Sequence, residues 1–573
     1  MVCNEQTDLA ISRSFNATYA IIQSFFHIRS TRLHRLRRPS LLFLLIFFAL
    51  SVIAQQQPKK PKLILTVVVD QFRYDYLLRF GADYHGGIAR LLSQGAVFAD
   101  ARYIHHPTVT AVGHSTFMSG ATPSVSGIIG NTWFDWETYN REIKKSPERP
   151  GQALTMAQVT SVSDDSTTLL GGVPGARGSS PHRLLVSTIG DELKMSGQAS
   201  KVIGISMKDR SAILPAGHMA DAAYWFDPDS QHFVSSTYYM KQLPPWAAQA
   251  NSNRPAYKFL GARWMPLDAK PGDKPFCTMA AGTEVRFCGP IENTPFGNEL
   301  VEEFAEKAIE AEKLGSHEGA DLLAVSFSAN DYVGHQLGPD APEVRDISRR
   351  TDLLLGKLLD FIDGRLGAGN TLVVLTADHG VAPVPKVNND RKMPGGWLSS
   401  SEYADRIAAQ LALKFGPGPN WFTFDADGFL YLNPAVAAKN NADPGEVRRF
   451  AAEAARALPH IARVFHRDAL LRGSSAADWP ARAVQLGFYG PRSADLVLLP
   501  EPYYIFGTAP GTTHQSPYSY DNHVPLIFFG PGIRAGVHYE PVIINDVAPT
   551  LAAILGVETP SGASGKILAE IFE

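Results

Sequence analysis

Lys62–Asp70 reads KLILTVVVD. An unbroken apolar run rich in β-branched residues has no polar face. It therefore predicts a strand covered on both sides, as in a parallel sheet sandwiched by helices. The run stops at a carboxylate. In open parallel sheets ligands gather beyond the carboxyl ends of the strands, so Asp70 stands where a site would form, with capping of the following turn as its alternative role.

The pattern recurs along the chain. Lys201–Met207 (KVIGISM) leads into Lys208-Asp209-Arg210, and Asp321–Phe327 (DLLAVSF) into Asp331 and His335. Thr371–Thr376 (TLVVLT) leads into Asp378-His379-Gly380, and Val524–Phe529 (VPLIFF) ends at a Gly-Pro-Gly turn. Helical periodicity lies between and after them. Asn298–Leu314 carries Leu300, Phe304, Ala308 and Ala311 on one face, Ile347–Leu366 is a second long helix, and Asn545–Leu555 is a terminal one. Strands alternating with amphipathic helices predict an α/β fold with a mostly parallel central sheet flanked by helices. Three stretches break the alternation and are expected to be inserted cap or subdomain segments: 134–200, the aromatic- and proline-rich 223–296, and 385–500. Helices over Glu402–Phe415 and Glu446–Leu458 and a strand over Asp495–Leu499 are expected in the last of these.

The 573 residues are 45% hydrophobic and 19% charged with net charge −3, a globular composition that offers no case for a nucleic-acid partner. Arg35-Leu36-Arg37-Arg38 followed by the apolar Leu41–Ala54, with Val52 and Ala54 small before Gln55, reads as a signal region over 1–54, or as an uncleaved anchor. A polar linker, 55–62, then precedes one domain over 63–573. Export to the periplasm or medium follows, with membrane contact only through an uncleaved signal segment. Cys277 and Cys288 are then expected to pair, contributing about 3 kcal/mol. Beyond Cys3, in the signal region, these are the remaining cysteines, so a metal would need His and carboxylate ligands.

The chemistry-bearing stretch is Pro107–Asp135, PTVTAVGHSTFMSGATPSVSGIIGNTWFD. Thr110 falls where an extended segment, Thr108–Thr110, meets a helix expected over Ala111–Ser119, and Asn131 lies in a Gly-Asn-Thr-Trp turn. A hydroxyl at a helix start is either a cap or a group beside an anion site. Asp331 and His335, four apart, share one side of a helical turn. Asp378 and His379 project from a sharp turn, and His514 lies in an exposed-looking Thr-His-x-Ser loop. Three Asp and three His suffice for two divalent ions, and oxygen and nitrogen donors without thiolate suit zinc better than manganese or iron. Two metals about 4 Å apart can clamp the attacking and leaving oxygens of an in-line phosphoryl displacement. Lys208 and Arg210, on one side of an extended chain, could grip a tetrahedral anion.

Thr110 in TVTAVGH, Asp331 with His335, Thr376-Ala377-Asp378-His379-Gly380, Thr513-His514 and the closing VAPTLAAILG helix together resemble the alkaline phosphatase superfamily, over the core from about residue 60 onward. Within it the chain is most similar to exported phosphatases of the PafA type, near the nucleotide pyrophosphatase/phosphodiesterase branch. The resemblance implies that Asp70, Asp378, His379 and Thr110 hold one zinc, and Asp331, His335 and His514 the other. It implies that Thr110 is phosphorylated during turnover, and that Asn131, Lys208 and Arg210 bind phosphate oxygens. The diesterase branch typically lacks the Lys-x-Arg pair, so the reaction expected is hydrolysis of small-molecule phosphate monoesters, by a monomer. Phosphodiesterase or nucleotide pyrophosphatase activity is the alternative, and a non-catalytic metal-binding protein a more distant one. TVTAVGH lacks a formylglycine-type sulfatase signature, and export disfavours a phosphoglycerate mutase. His523 is the competing choice to His514. His105, His106, His114 and His218 are read as packing or supporting groups.

Overall fold

A computed structural model describes residues 60–572 except 147–148, 253, 280–288, 419 and 474–477. The signal region, the linker as far as residue 59 and Cys288 lie outside the described residues. Cys277 is disulfide-bonded.

The strands that matter for the site are β1 (Leu63–Val69), β2 (Ala96–Arg102), β3 (Val202–Ser206), β4 (Ala222–Asp227), β5 (His232–Ser236), β6 (Asp321–Phe327), β7 (Thr371–Thr376) and β8 (His523–Phe529). They run side by side in the order β2-β8-β7-β1-β6-β3-β4-β5. The central five, β7-β1-β6-β3-β4, are parallel, and β8 and β5 flank them antiparallel. Every residue of β1, β6 and β7 is buried, which is why these strands read as continuous apolar runs. Because the five share one direction, Asp70, Lys208, the start of the segment bearing Asp331, and Asp378 all emerge from one edge of the sheet.

Helices cover the faces: α1 (Thr110–Ser119), α2 (Asp209–Ala216), α3 (Pro295–Ala311), α4 (Ala329–Leu337), α5 (Pro342–Leu366) and α6 (Val547–Leu555). α3 packs on α5, which buries Leu355, Leu358 and Ile362, and α1 packs on α2. Among the described residues no helix is long and apolar enough to cross a membrane.

Two of the three expected insertions are partly built into the main sheet. Ser163–Leu170 and Arg177–Ser179 extend it beyond β5, so 134–200 is not wholly an excursion. The segment 223–296 begins inside β4 and continues through β5, and it does not form a separate cap at its start. Its aromatics serve the core: Tyr224, Phe233 and Trp246 surround Phe304 of α3 at ring distances of 5.3, 4.1 and 5.1 Å, and the Trp264 indole N–H donates to Asp346 at 2.7 Å. Alternation is hidden there because a strand covered on both faces by aromatic packing carries no period of two.

The stretch 385–500 folds around its own apolar core, which includes Ile407, Leu411, Val447, Ala451 and Leu498. Its antiparallel sheet has the order Phe422–Ala426, Phe429–Leu432, Leu496–Pro500, Ile461–His466. Helices Ser400–Phe415 and Pro444–Arg456 back it. The hairpin Phe422–Leu432 reaches the main domain, where Phe424, Phe429 and Tyr431 join a cluster with Trp133 and Phe134.

Candidate active site

The carboxyl edge of the sheet brings two Asp/His groups together. Asp331, His335 and His514 offer ligand atoms within 4.8 Å of one another, and so do Asp70, Asp331 and His379. Asp331 therefore belongs to both. Asp378 lies against the second group with Oδ2 3.4 Å from His379 Nε2, while His379 Nε2 is 3.6 Å from Asp70 Oδ1. α4 gives the one-turn relation between Asp331 and His335, whose Nε2 is 3.2 Å from Asp331 Oδ1. His514 Nε2 approaches the same oxygen at 3.8 Å.

The imidazoles are oriented by backbone carbonyls. Nδ1 of His335 bonds Thr512 O at 2.9 Å, that of His379 bonds Gly380 O at 2.9 Å, and that of His514 bonds Thr108 O at 2.7 Å. A carbonyl only accepts, so each Nδ1 carries a proton, and in the neutral ring each Nε2 is left with its lone pair towards the carboxylates. Burial holds His379 down at about 4 and His514 well below the ordinary histidine range, the latter helped by His379 and His335. Both are therefore neutral, as metal ligation requires, whereas Asp331 raises His335 against the effect of burial, so that ring gives up a proton when it binds a metal. Burial raises Asp378 well above the usual carboxylate range, reinforced by the charge of Asp70. Burial also pushes Asp331 upward, but His335 and Lys208 outweigh it and hold it far below that range.

Asp70 Oδ1 and Asp378 Oδ2 are buried without a hydrogen-bond partner. An unpaired buried carboxylate oxygen is costly unless a cation completes it. These orphaned oxygens, with three oriented Nε2 atoms, fit divalent metal in a nitrogen/oxygen set of the type suited to zinc.

Thr110 is buried at the first turn of α1, its Oγ1 3.4 Å from His379 Nε2. It is not the cap of that helix. Val109 is the extended N-cap residue, and Asn131 Oδ1 accepts the Ala111 N–H at 2.9 Å instead. Asn131 thus ties its turn to the first turn of α1, at the residue after Thr110. Gly113 lets α1 approach so closely: a Cβ there would lie 2.2 Å from the Asp378 carbonyl oxygen.

Lys208 and Arg210 do not flank one side of an extended strand. β3 ends at Ser206, Lys208 is the extended residue before α2, and Arg210 lies in the first turn of that helix. Lys208 Nζ sits 2.7 Å from Asp70 Oδ2 and 2.5 Å from Asp331 Oδ2, so its ammonium joins the two carboxylate groups. Those two carboxylates raise its pKa against the opposing effect of burial.

A family model described as type I phosphodiesterase/nucleotide pyrophosphatase matches residues 64–524. The chain belongs to this family. Its relatives include a protein described as a calcium-transporting ATPase from Myroides odoratus, 34% identical over 92% of this chain and 97% of that one. Alkaline phosphatase PafA from Elizabethkingia meningoseptica is 33% identical over 90% of this chain and 95% of its own length. The crystal structure of wild-type alkaline phosphatase PafA superposes with a TM-score of 0.81 at 31% identity, covering 90% of this chain and 100% of that one. A solved variant of PafA has one threonine, one asparagine, one lysine and one arginine replaced, spaced 21 positions between the first two and two between the last two. Thr110–Asn131 and Lys208–Arg210 have the same spacings. The chain is a PafA-type phosphoric ester hydrolase of this family, and its relatives imply metal dependence.

In this family member one residue escaped the sequence reading. Gln71, directly after Asp70, has φ 59°, a left-handed conformation uncommon outside glycine. That twist turns its N–H onto Asp378 Oδ1 at 3.1 Å and its side-chain amide onto Asp331 Oδ1 at 2.7 Å. Strain at a site is held where several contacts determine it, and here it links both ligand groups. No pattern in the sequence marks it. The other histidines have structural partners. His114 Nε2 bonds Ser326 Oγ at 2.9 Å, His105 and His106 bond carbonyls of Pro107 and Gln515, His218 is engaged by Asp191, and His523 Nε2 bonds Ala99 O at 3.0 Å.

Proposed function

We propose that the chain is an exported alkaline phosphatase that hydrolyses phosphate monoesters through a phosphothreonine at Thr110. The observation that carries the reading is Thr110 Oγ1 lying 3.4 Å from His379 Nε2, with Asn131 held on the adjacent Ala111 N–H and Lys208 on Asp70 and Asp331. A phosphate monoester has about two charges and three non-bridging oxygens, for which the Asn131 amide and the Lys208 ammonium are donors, while the unprotonated His379 Nε2 is left for a cation. Two divalent cations, zinc on donor type, would be held by Asp70, Asp378 and His379 and by Asp331, His335 and His514, and would acidify the Thr110 hydroxyl and neutralise the leaving oxygen.

Thr110 Oγ1, its proton passed to solvent, attacks phosphorus opposite the ester oxygen. The Oγ–P bond forms, the ester P–O bond breaks, and the leaving alkoxide takes a proton from solvent. Water then cleaves the phosphothreonine, returning the hydroxyl and releasing inorganic phosphate. Asn131 donates its NH2 to one phosphate oxygen. Lys208 exchanges its contact with Asp70 and Asp331 for the phosphate once those carboxylates are otherwise neutralised. Arg210, whose Nε is buried without a partner, supplies a further fork. Positioning and electrostatic stabilisation of this kind supply most of the rate in phosphoryl transfer.

A second reading, phosphodiester or nucleotide pyrophosphate cleavage, has the matched family's description in its favour. Comparing kcat/KM for an aryl phosphate and its methyl ester separates the two. The monoester is expected to be preferred, with the preference collapsing in Lys208→Ala. A diester preference untouched by that substitution would overturn the proposal. Export through residues 1–54 is part of the same reading, and N-terminal sequencing of the protein recovered from the periplasm or medium tests it, a start at Gln55 being expected.

A further inference from the structure

The hairpin Phe422–Leu432 overhangs the site. Asp427 and Gly428, with φ 50° and 85°, form its two-residue turn, flanked by the paired Ala426 and Phe429. Positive φ at both central residues is the twist-matched hairpin turn for which Asp-Gly is preferred. Between the hairpin and the main domain lies a cavity of about 250 Å³. Phe424 and Phe429 line it from the hairpin, and Asn131, Trp133, His335 and His514 from the main domain. Phe424 and Phe429 are half-buried, so they keep free ring surface, whereas Trp133 is 1% exposed. Asp427 is exposed as a residue, but its carboxylate turns into the cavity, where burial raises its pKa and a hydrogen bond with Gln515 and the nearby His335 oppose the rise.

An apolar cavity of about 150 Å³ accepts benzene, so 250 Å³ holds one substituted or two fused rings. A cavity that shares Asn131 with the phosphate side and His335 and His514 with one ligand group lies where a leaving group would extend. We propose that this hairpin is the leaving-group recognition element. Its phenylalanines form a slot for an aromatic ring on the ester, and Asp427 beside it favours a ring bearing a cationic or hydrogen-bond-donating substituent. The inference rests on the monoesterase reading and names its substrate class, aromatic-ring-bearing phosphate monoesters. It assigns selectivity to the subdomain and leaves the chemistry on the main sheet.

Benzyl and ethyl phosphate test it, because both release an alkoxide and only one carries a ring. In the full-length zinc-loaded enzyme, Phe424→Ala and Phe429→Ala are each expected to lower the benzyl-to-ethyl ratio of kcat/KM by about 5-fold, the loss of one ring's contact. Asp427→Asn should lower the preference for 4-(aminomethyl)benzyl over benzyl phosphate by about 3-fold, as for a partly solvated charge pair. The inhibition constant for inorganic phosphate, together with the melting temperature, reports whether each variant is folded and retains its phosphate site. Equal losses on benzyl and ethyl phosphate, or an unchanged ratio in folded variants, overturn the slot. A wild-type preference for the diester overturns the monoesterase reading as well, and it is seen before any variant is made.

Discussion

The two ligand groups differ in depth. Asp70, Asp378 and His379 are 0%, 1% and 0% exposed, at the ends of β1 and β7. In the other group the His335 side chain is 34% exposed, on α4 beside the cavity under the hairpin. The inner group is fixed by the least deformable part of the fold and lies against Thr110. The outer group is assembled from a helix and a loop, and its His335 and His514 line the cavity under the hairpin. On the proposed mechanism, the contrast means that sheet geometry holds the nucleophile end, while access and selectivity are left to elements that can vary.

The largest effect expected is on the nucleophile side. Thr110→Ala should lower kcat by about 10⁴-fold or more, with partial recovery in Thr110→Ser, measured by steady-state turnover on an aryl phosphate. Comparable loss from an outer-group change that spares metal binding would erase the contrast. Chelation sharpens it. Metal at the outer group, where His335 alone of the three is partly exposed, should leave first, so activity should fall to background while about half the metal remains, followed by metal analysis during dialysis.

Lys208→Ala tests the electrostatics that join the groups. In metal-free protein it leaves Asp70 and Asp331 without their ammonium, which should cost about 3–5 kcal/mol. With zinc bound the loss should be much smaller, and denaturant unfolding with and without zinc reads the difference. Gln71 is the mildest probe. Gln71→Ala removes its hydrogen bond to Asp331 and should cost about 1–3 kcal/mol. Gln71→Gly removes the same bond but relieves the left-handed backbone, so it should be the more stable of the two by about 1 kcal/mol.

The inner group was the part most legible in the sequence. Runs such as Leu63–Val69 and Thr371–Thr376 are unambiguous because strands buried on both faces have no polar positions, and a charge at their end stands out. Asp331 and His335 were legible as a helical pair. What was missed depends on backbone conformation or distant packing. Gln71 acts through a positive φ, and Asn131 caps a helix 20 residues earlier in the chain. Lys208 acts from the residue preceding a helix, where an extended-strand reading misdirects Arg210. The strands at Ser163–Leu170 and Ala222–Asp227 were hidden in polar or aromatic surroundings, since sheet edges and aromatic-packed strands lack a clean period. The hairpin did carry a local signal, Asp427-Gly428 between two β-rich runs, but nothing local says that it overhangs the ligand edge.

The central claim is that Thr110 receives the phosphoryl group. Zinc-loaded enzyme mixed with an aryl phosphate, quenched in acid within one turnover and digested for mass spectrometry, tests it directly. The account predicts phosphate on the peptide containing Thr110, absent from Thr110→Ala and from chelated enzyme. Turnover with no phosphate on Thr110 at any quench time, under conditions that preserve phosphothreonine, would contradict it.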